Sequence, residues 1–289
     1  MKNKLNIAIL GIGLIGGSIA LGLKKRLDNR VSIIGMSQNI NRAFKAKSLG
    51  MVDQVIPSMK EIPKNIDLVI ISTPISVCIN LLKRIGRNVR TDLIIIDTCS
   101  TKKTVVDTAE KCLPEYISFI GTHPMAGIEK QGFEFACPDL FINKPWIICP
   151  SRNSKKNDLS MVNDIINILE AKAVILDPVS HDKLSVLSSH LPLILGNILI
   201  GTILREHQWH NVEKIISTGF MDTTRLASDN PLLKSDIIRT NSQNIIDSLN
   251  KYKQELDYFI KLVQSDNKRK ILSYLKNSKL RRDKLLSCN

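Results

Sequence analysis

Short runs of β-branched and aliphatic residues alternate with amphipathic stretches through the first 177 positions, and there the alternation stops. The apolar runs predict strands at 5–10, 31–36, 67–72, 93–97, 117–121, 145–149 and 173–177. The stretches between them predict helices at 14–27, 40–49, 75–87, 101–112 and 158–170. Such alternation predicts a parallel, doubly wound sheet with helices on both faces. The run at 67–72 is almost continuously apolar, as a strand covered on both sides must be. Beyond Asp177-Pro178 the pattern is helical, with helices expected over 180–205, 211–218, 232–265 and 267–285. The expected fold is α/β, a Rossmann-type sheet domain over residues 1–177 followed by an all-helical domain over 178–289.

The first strand runs into Gly11-Ile12-Gly13-Leu14-Ile15-Gly16, a G-x-G-x-x-G turn with an apolar helix pattern directly behind it. A strand turning tightly into a helix is the setting in which this spacing marks a dinucleotide site. Gly11 allows the turn, Gly13 allows a pyrophosphate to approach, and Gly16 lets the helix lie close to the sheet. Free N–H groups at the helix start, around Leu14 and Ile15, face the anion. Ligands in such sheets bind beyond the carboxyl ends of the strands. Three of those ends deliver polar residues: Ser72-Thr73-Pro74, Asp97-Thr98-Cys99-Ser100 and Gly121-Thr122-His123-Pro124. Thr73, Pro74 and Thr98 are accordingly assigned to the cofactor edge. The second strand ends in Ser37-Gln38-Asn39, without the carboxylate that holds a ribose 2′-hydroxyl. Ser37 can donate a hydrogen bond and Arg42 lies one helical turn further on, which favours NADP over NAD. The alternative leaves Arg42 as a solvated helix residue.

Composition narrows the class. With 289 residues, 43% of them hydrophobic and 24% charged, the chain is an ordinary soluble globular protein with a substantial core. The first residues run straight into a strand, so no signal peptide and a cytoplasmic location are expected. Six cysteines show no C-x-x-C spacing and no cluster with histidine, which predicts reduced thiols and no metal site. The net charge of +14 raises the question of nucleic acid, but half of it falls in residues 251–289, with eleven Lys/Arg against four Asp/Glu. These charges follow a helical pattern, so a solvated helix face is the reading and no nucleic-acid partner is expected. The apolar stretch 184–204 is long enough to span a bilayer. It also carries Ser185, Ser188, Ser189, His190, Pro192 and Asn197, so a buried helix is expected and no membrane.

Several further pieces fall in a fixed order: residues 11–18, DTCSTK at 97–102, GTHPMAGIEKQG at 121–132 and LFINKP at 140–145, then His181-Asp182, SHLP at 189–192 and GFMDTTRLA at 219–227. On these, spread over about four-fifths of the chain, the sequence resembles the prephenate/arogenate dehydrogenase family of tyrosine biosynthesis. The pattern is nearest to the simple, cyanobacterial-type arogenate dehydrogenases. The resemblance implies that a cyclohexadienol gives up hydride from C4 to the nicotinamide while its C4 hydroxyl loses a proton, and that CO2 then leaves as the ring becomes aromatic. The apolar helices 184–204 and 232–265 exceed what one sheet domain can cover, so the helical half is expected to pack against a second copy in a homodimer.

His123 is the candidate acceptor of that proton, since imidazole titrates near neutrality and the residue is expected on a loop at a strand end. Ser100 would orient His123 or the hydroxyl, or cap the following helix. Lys102 is a further candidate contact to cofactor or substrate. Arg225 is the candidate clamp for a substrate carboxylate, with an Asp222–Arg225 helix pair as the alternative. His190 is either a pocket residue or a satisfied core histidine, and Glu129 either a gate closing through an ion pair or a surface residue. Many prephenate-using relatives have a second histidine after SHLP where this chain has Leu193, which removes a polar contact for the pyruvyl group and favours arogenate as substrate. Residues 226–231 depart from the glycine-rich version in near relatives, which affects local loop shape. The alternatives are prephenate dehydrogenation to 4-hydroxyphenylpyruvate with NAD or NADP, a β-hydroxyacid dehydrogenase, and a non-enzymatic dinucleotide- or nucleic-acid-binding regulator. For the β-hydroxyacid class, Lys183 and Lys234 lack the G-x-x-x-K setting.

Overall fold

The computed structural model describes residues 4–88, 92–127, 130, 132–207 and 209–287. Its sheet contains β1 (Leu5–Leu10), β2 (Val31–Met36), β3 (Gln54–Val55), β4 (Leu68–Ile71), β5 (Leu93–Asp97), β6 (Ile117–Pro124), β7 (Pro145–Pro150) and β8 (Lys172–Ile175). The spatial order is β3-β2-β1-β4-β5-β6-β7-β8, so the chain crosses over next to β1. Helices α1 (Leu14–Leu27), α2 (Ile40–Ser48), α3 (Ile75–Asn88), α4 (Lys103–Cys112) and α5 (Lys156–Ile168) are threaded between the strands. Alternate residues of each strand feed two separate cores. Ile7, Ile9, Ile33 and Leu68 pack with α1 and α5 on one face. Ala8, Leu10, Ile34 and Val69 pack with α3 and α4 on the other. Burial of both faces is why these strands read as unbroken apolar runs.

The expectation of an all-parallel sheet needs one correction. The pairs from β3 through β6 are parallel, but β6 and β7 are antiparallel, with His123 opposite Ile147. A parallel return needs a crossover helix. Between Met125 and Lys144 the described residues hold only a 3-10 turn, Phe133–Phe135, and the Met125 N–H donates to the Pro145 carbonyl at 2.8 Å. The chain therefore turns back at the carboxyl edge where it emerged. The pairing prolongs β6 to Pro124, so His123 is held in a strand and not on a loop.

The second half is helical: α6 (Pro178–Ser185), α7 (Leu191–Ile203), α8 (Trp209–Glu213), α9 (Thr218–Thr224), α10 (Pro231–Thr240), α11 (Ser242–Gln264) and α12 (Lys268–Ser287). Asp177 caps α6, its side chain accepting from the N–H groups of Val179 and Ser180 at 3.0 Å each. Between α6 and α7 the helix widens into a π turn, Val186–His190. Pro192 accounts for it, since proline lacks an N–H and its ring crowds the carbonyl four residues back.

The chain forms two compact units, residues 1–242 and 243–289. In the first, α6 packs on α4 and β7, and α10 packs on α3, where the Ser76 N–H donates to Asp236 Oδ2 at 2.9 Å. The apolar helix expected to be buried is covered along one face only. Leu193, Ile194 and Gly196 face inward, Leu184, Leu187, Ile198 and Leu204 are exposed, and 22% of the apolar window in Pro178–Ile203 is buried. In the second unit α11 and α12 form a helical hairpin, with the Tyr274 hydroxyl donating to Glu255 at 2.7 Å beside Tyr258 and Phe259.

Candidate active site

The β1–α1 turn has the shape of a dinucleotide cradle. Gly11 adopts φ +103°, and a Cβ there would lie 2.2 Å from the Ser72 carbonyl oxygen. A Cβ at Gly16 would lie 2.2 Å from the Gly11 carbonyl oxygen, whereas one at Gly13 would meet nothing within 4 Å. The first and third glycines let backbones touch, and the second faces open space beside the start of α1. No side chain among the described residues caps that helix start, so its N–H groups at Leu14 and Ile15 remain available to an anion.

From this turn a cavity of about 790 Å³ runs past the end of β2. Gly11, Gly13, Ser37, Arg42, Thr73 and Pro74 border it, and so does Arg84 on α3, which the strand-end reading had not reached. No carboxylate is among its described lining residues. Leu14, Ile15, Gly16 and Thr98 lie outside the lining; Thr98 instead donates to Ser72 Oγ at 3.2 Å and ties β5 to β4. The open glycine, the uncapped helix and the carboxylate-free groove together fit a dinucleotide.

Two strands along the same edge, a buried polar network joins β5, β6, α4 and α6. Asp97, fully buried at the end of β5, accepts from the N–H groups of Cys99 at 2.9 Å and Thr122 at 3.1 Å. Lys102 is equally buried, and its ammonium bonds Asp97 Oδ2 and, at 2.6 Å, the Thr122 carbonyl. Burial is the largest single influence and pulls its pKa down, but the charge and hydrogen bond of Asp97, with the neighbouring Cys99 and Cys78, together hold it above the ordinary lysine value. The Lys102 ammonium thus points inward and offers no contact to a ligand. Cys78, Cys99 and Asp97 have ligand atoms within 4.8 Å of one another, a grouping that could suit a metal. The ammonium already fills the carboxylate's demand, however. The Cys78 hydrogen bond and burial also push the Cys99 thiol well above its usual range, so it is no thiolate ligand.

His123 stands beside this pair. Its Nδ1 lies 2.9 Å from Nε2 of His181, whose Nδ1 lies 2.8 Å from Asp182 Oδ1. Asp182 also accepts from the backbone N–H groups of Lys102 at 2.7 Å and Lys103 at 3.0 Å, so it caps α4, whose own N-cap residue has no capping side chain. Those bonds make Asp182 an acceptor only, so His181 donates through Nδ1. With one proton per ring, His181 Nε2 accepts from His123 Nδ1–H, and the His123 Nε2 lone pair is left over. Burial, reinforced by the Lys102 charge and by the cost of a second cation beside the His181 and His190 rings, holds the His123 pKa well below the imidazole value. The ring is therefore a neutral base at physiological pH.

The remaining candidates fall around this network. Ser100 is half-buried, and its hydroxyl makes no hydrogen bond among the described residues; the capping alternative belongs to Asp182 instead. His190 ends the π turn, buried, with Nδ1 3.3 Å from the Asn241 amide, which also donates to the Asp182 carbonyl at 2.9 Å. Its Nε2 has no well-formed hydrogen bond among the described residues, and burial lowers its pKa to about 4 against the opposing pull of Asp182 and the Ser100 backbone. Arg225 is exposed and opens a 3-10 turn, Arg225–Ser228, that packs on α7; Asp222, one turn back, makes no ion pair among the described residues. Leu193 is buried in α7. Glu129 lies outside the described residues. Sequence reasoning had assigned no role to His181, Asp182 or Asn241, although His181-Asp182 four residues into a proline-started helix is a visible signal.

Comparison with known proteins follows the same division of the chain. A family model described as the nucleotide-binding domain of prephenate dehydrogenase matches residues 19–175, and one described as its dimerization domain matches residues 177–277. The chain is 32% identical over 287 residues to a prephenate dehydrogenase of Bacillus subtilis, covering 96% of this chain and 76% of the relative. It superposes with a TM-score of 0.90 and 26% identity on the crystal structure of prephenate dehydrogenase from A. aeolicus in complex with hydroxyphenyl propionate and NAD+, covering 97% and 98% of the two chains. The corresponding figures for Synechocystis arogenate dehydrogenase are 0.83, 27%, 97% and 100%.

Proposed function

The chain belongs to the prephenate dehydrogenase family, and from that premise we propose that it converts arogenate to tyrosine with NADP, releasing CO2. The observation that carries the chemistry is the buried relay from Asp182 through His181 to His123, which leaves His123 Nε2 as a neutral acceptor at the carboxyl edge. The cofactor, when bound, supplies a hydride acceptor. His123 takes the proton of the ring hydroxyl as C4 acquires carbonyl character, and returns it to the phenolate oxygen once CO2 has left. Relay geometry fixes the tautomer, so no ring rotation is needed before proton transfer. Ser100, whose hydroxyl makes no hydrogen bond among the described residues, orients the substrate hydroxyl. Arg225 holds a substrate carboxylate by a guanidinium that stays charged, and Glu129 and His190 complete the substrate side.

Preference for NADP is supported by the groove, whose described lining includes Arg42 and Arg84 and no carboxylate. The A. aeolicus relative was solved with NAD+, and a carboxylate-free groove would admit that dinucleotide as well as its phosphorylated form. Preference for arogenate over prephenate is supported by Leu193, an apolar residue where a keto-acid side chain would seek a donor. The helical half, 178–289, is read as the dimerisation domain of a cytoplasmic homodimer. The exposed apolar face of α6 and α7 supports a second copy as its cover, and monomers at micromolar concentration in light scattering would contradict this. Absorbance of reduced nicotinamide, followed with both substrates and both cofactors, tests the whole reading. Turnover with arogenate and NADP exceeding the other three combinations is expected, and equal or greater turnover with prephenate or NAD contradicts the corresponding half.

A further inference from the structure

An internal anion stands just beyond the lining of the cofactor groove. Arg42 Nη2 lies 3.7 Å from Glu134 Oε2, and its guanidinium sits over the Phe133 ring, 5.4 Å from the centroid. Gly132, which borders the cavity, brings the two together. At φ +100° it bends the backbone so tightly that an added Cβ would lie 2.3 Å from Glu134 Oε2 and 3.2 Å from Arg42 Nη2. The pair is open to water, with 51% and 44% of the two side chains exposed, so solvent screens it and its strength is small. On α3, Val77, Leu81 and Arg84 follow one another at helical spacing along the same cavity. Two arginines thus border a groove that no described carboxylate lines, and Glu134, just beyond the lining, pairs with Arg42.

We propose that Arg42 and Arg84 form a two-guanidinium clamp for the 2′-phosphate of NADP, and that Glu134 is the internal anion which this phosphate displaces from Arg42. The proposal rests on the cofactor reading above and gives it residues. A phosphate dianion presents enough oxygens to engage two planar guanidiniums in paired hydrogen bonds. A ribose hydroxyl presents a single neutral group, so NAD binds with the Arg42–Glu134 pair left in place. Glu134 consequently opposes NADP and not NAD, and sets the ratio between them.

Fluorescence titration with NADPH and NADH, and with 2′,5′-ADP against 5′-AMP, tests this on the intact protein. Arg84→Gln should weaken NADPH and 2′,5′-ADP by about 10- to 100-fold while NADH moves less than about 3-fold, as expected for loss of a charge-assisted bond. Glu134→Gln should tighten NADPH by about 3-fold and leave NADH unchanged, as expected for removal of an exposed competing pair. A wild-type protein that binds NADH at least as tightly as NADPH overturns the cofactor reading and the clamp with it. A wild-type preference for NADPH that survives Arg84→Gln, or equal losses of both cofactors in that variant, overturns the clamp alone. An unchanged or weaker NADPH affinity in Glu134→Gln overturns the displacement.

Discussion

The carboxyl edge of the sheet handles charge in two opposite ways. At the ends of β5 and β6, Asp97, Lys102, His123, His181 and Asp182 are buried and bonded to one another or to backbone. Along the groove past β2, Arg42 and Glu134 are half in water and paired at 3.7 Å. Burial makes the first set all-or-none. A partner removed there leaves a desolvated charge, which costs far more than the pair contributes. Exposure makes the second set adjustable, because solvent replaces whatever a ligand or a substitution takes away. On the proposed reading, proton transfer, which needs a fixed geometry, falls to the buried set. Cofactor choice, a difference between two affinities, falls to the open one.

Substitutions should separate the two regimes. His123→Asn removes the acceptor and should lower kcat by about 100- to 10,000-fold with little change in KM; steady-state kinetics with kcat near wild type would contradict the relay. Lys102→Met strands the Asp97 carboxylate in the interior and should destabilise the fold by about 3–5 kcal/mol in urea titration. Adding Asp97→Asn should recover part of that loss, and a Lys102→Met protein as stable as wild type would show that the pair is not buried. The same variant removes a cation that keeps His123 neutral, so any residual activity should decline at a higher pH than in wild type.

Acid should discriminate next. His123 and His190 have folded pKa values below the ordinary imidazole value of 6.5, that of His190 at about 4. Below 6.5 the unfolded chain therefore binds protons that the folded chain does not, so stability is complete above that pH and is lost as pH falls toward 4. The His190 share is roughly 3 kcal/mol. Thermal melts from pH 8 to pH 5 should show this slope, and His190→Gln should flatten it. The smallest change belongs to the open groove, where Ser37→Asp should move the NADP/NAD ratio of kcat/KM toward NAD by about 10-fold. An unchanged ratio would contradict the reading of that groove.

Much of this edge was legible in the residues. The apolar runs located β1 and β2 to the residue, and the G-x-G-x-x-G spacing marked the turn at which Gly11 and Gly16 admit no Cβ. The missing carboxylate after β2 was visible as Ser37-Gln38-Asn39. What could not be read were relations between distant segments. β3, two residues long on the sheet edge, has no periodicity to detect. The reversal into β7 depends on a missing crossover helix, and that reversal is what places His123 in a strand. Lys102 reads as a contact to cofactor or substrate because only the fold brings Asp97 and the Thr122 carbonyl to it. The expected helix 232–265 is broken at Asn241, and the break delivers an amide to Asp182 and His190 that no local pattern announces. Arg84 escaped notice because it lies two turns into α3, away from every strand end.

The relay assigns each proton to a particular nitrogen, so the imidazole tautomers test the account most directly. The chain has five histidines, few enough to resolve by two-bond ¹H–¹⁵N spectroscopy on histidine-labelled protein. At pH 7 His123 should show a neutral ring protonated on Nδ1, with a bare Nε2 that shifts when a substrate analogue and cofactor are added. A His123 ring protonated on Nε2, or on both nitrogens, would contradict the claim that this residue receives the substrate's proton.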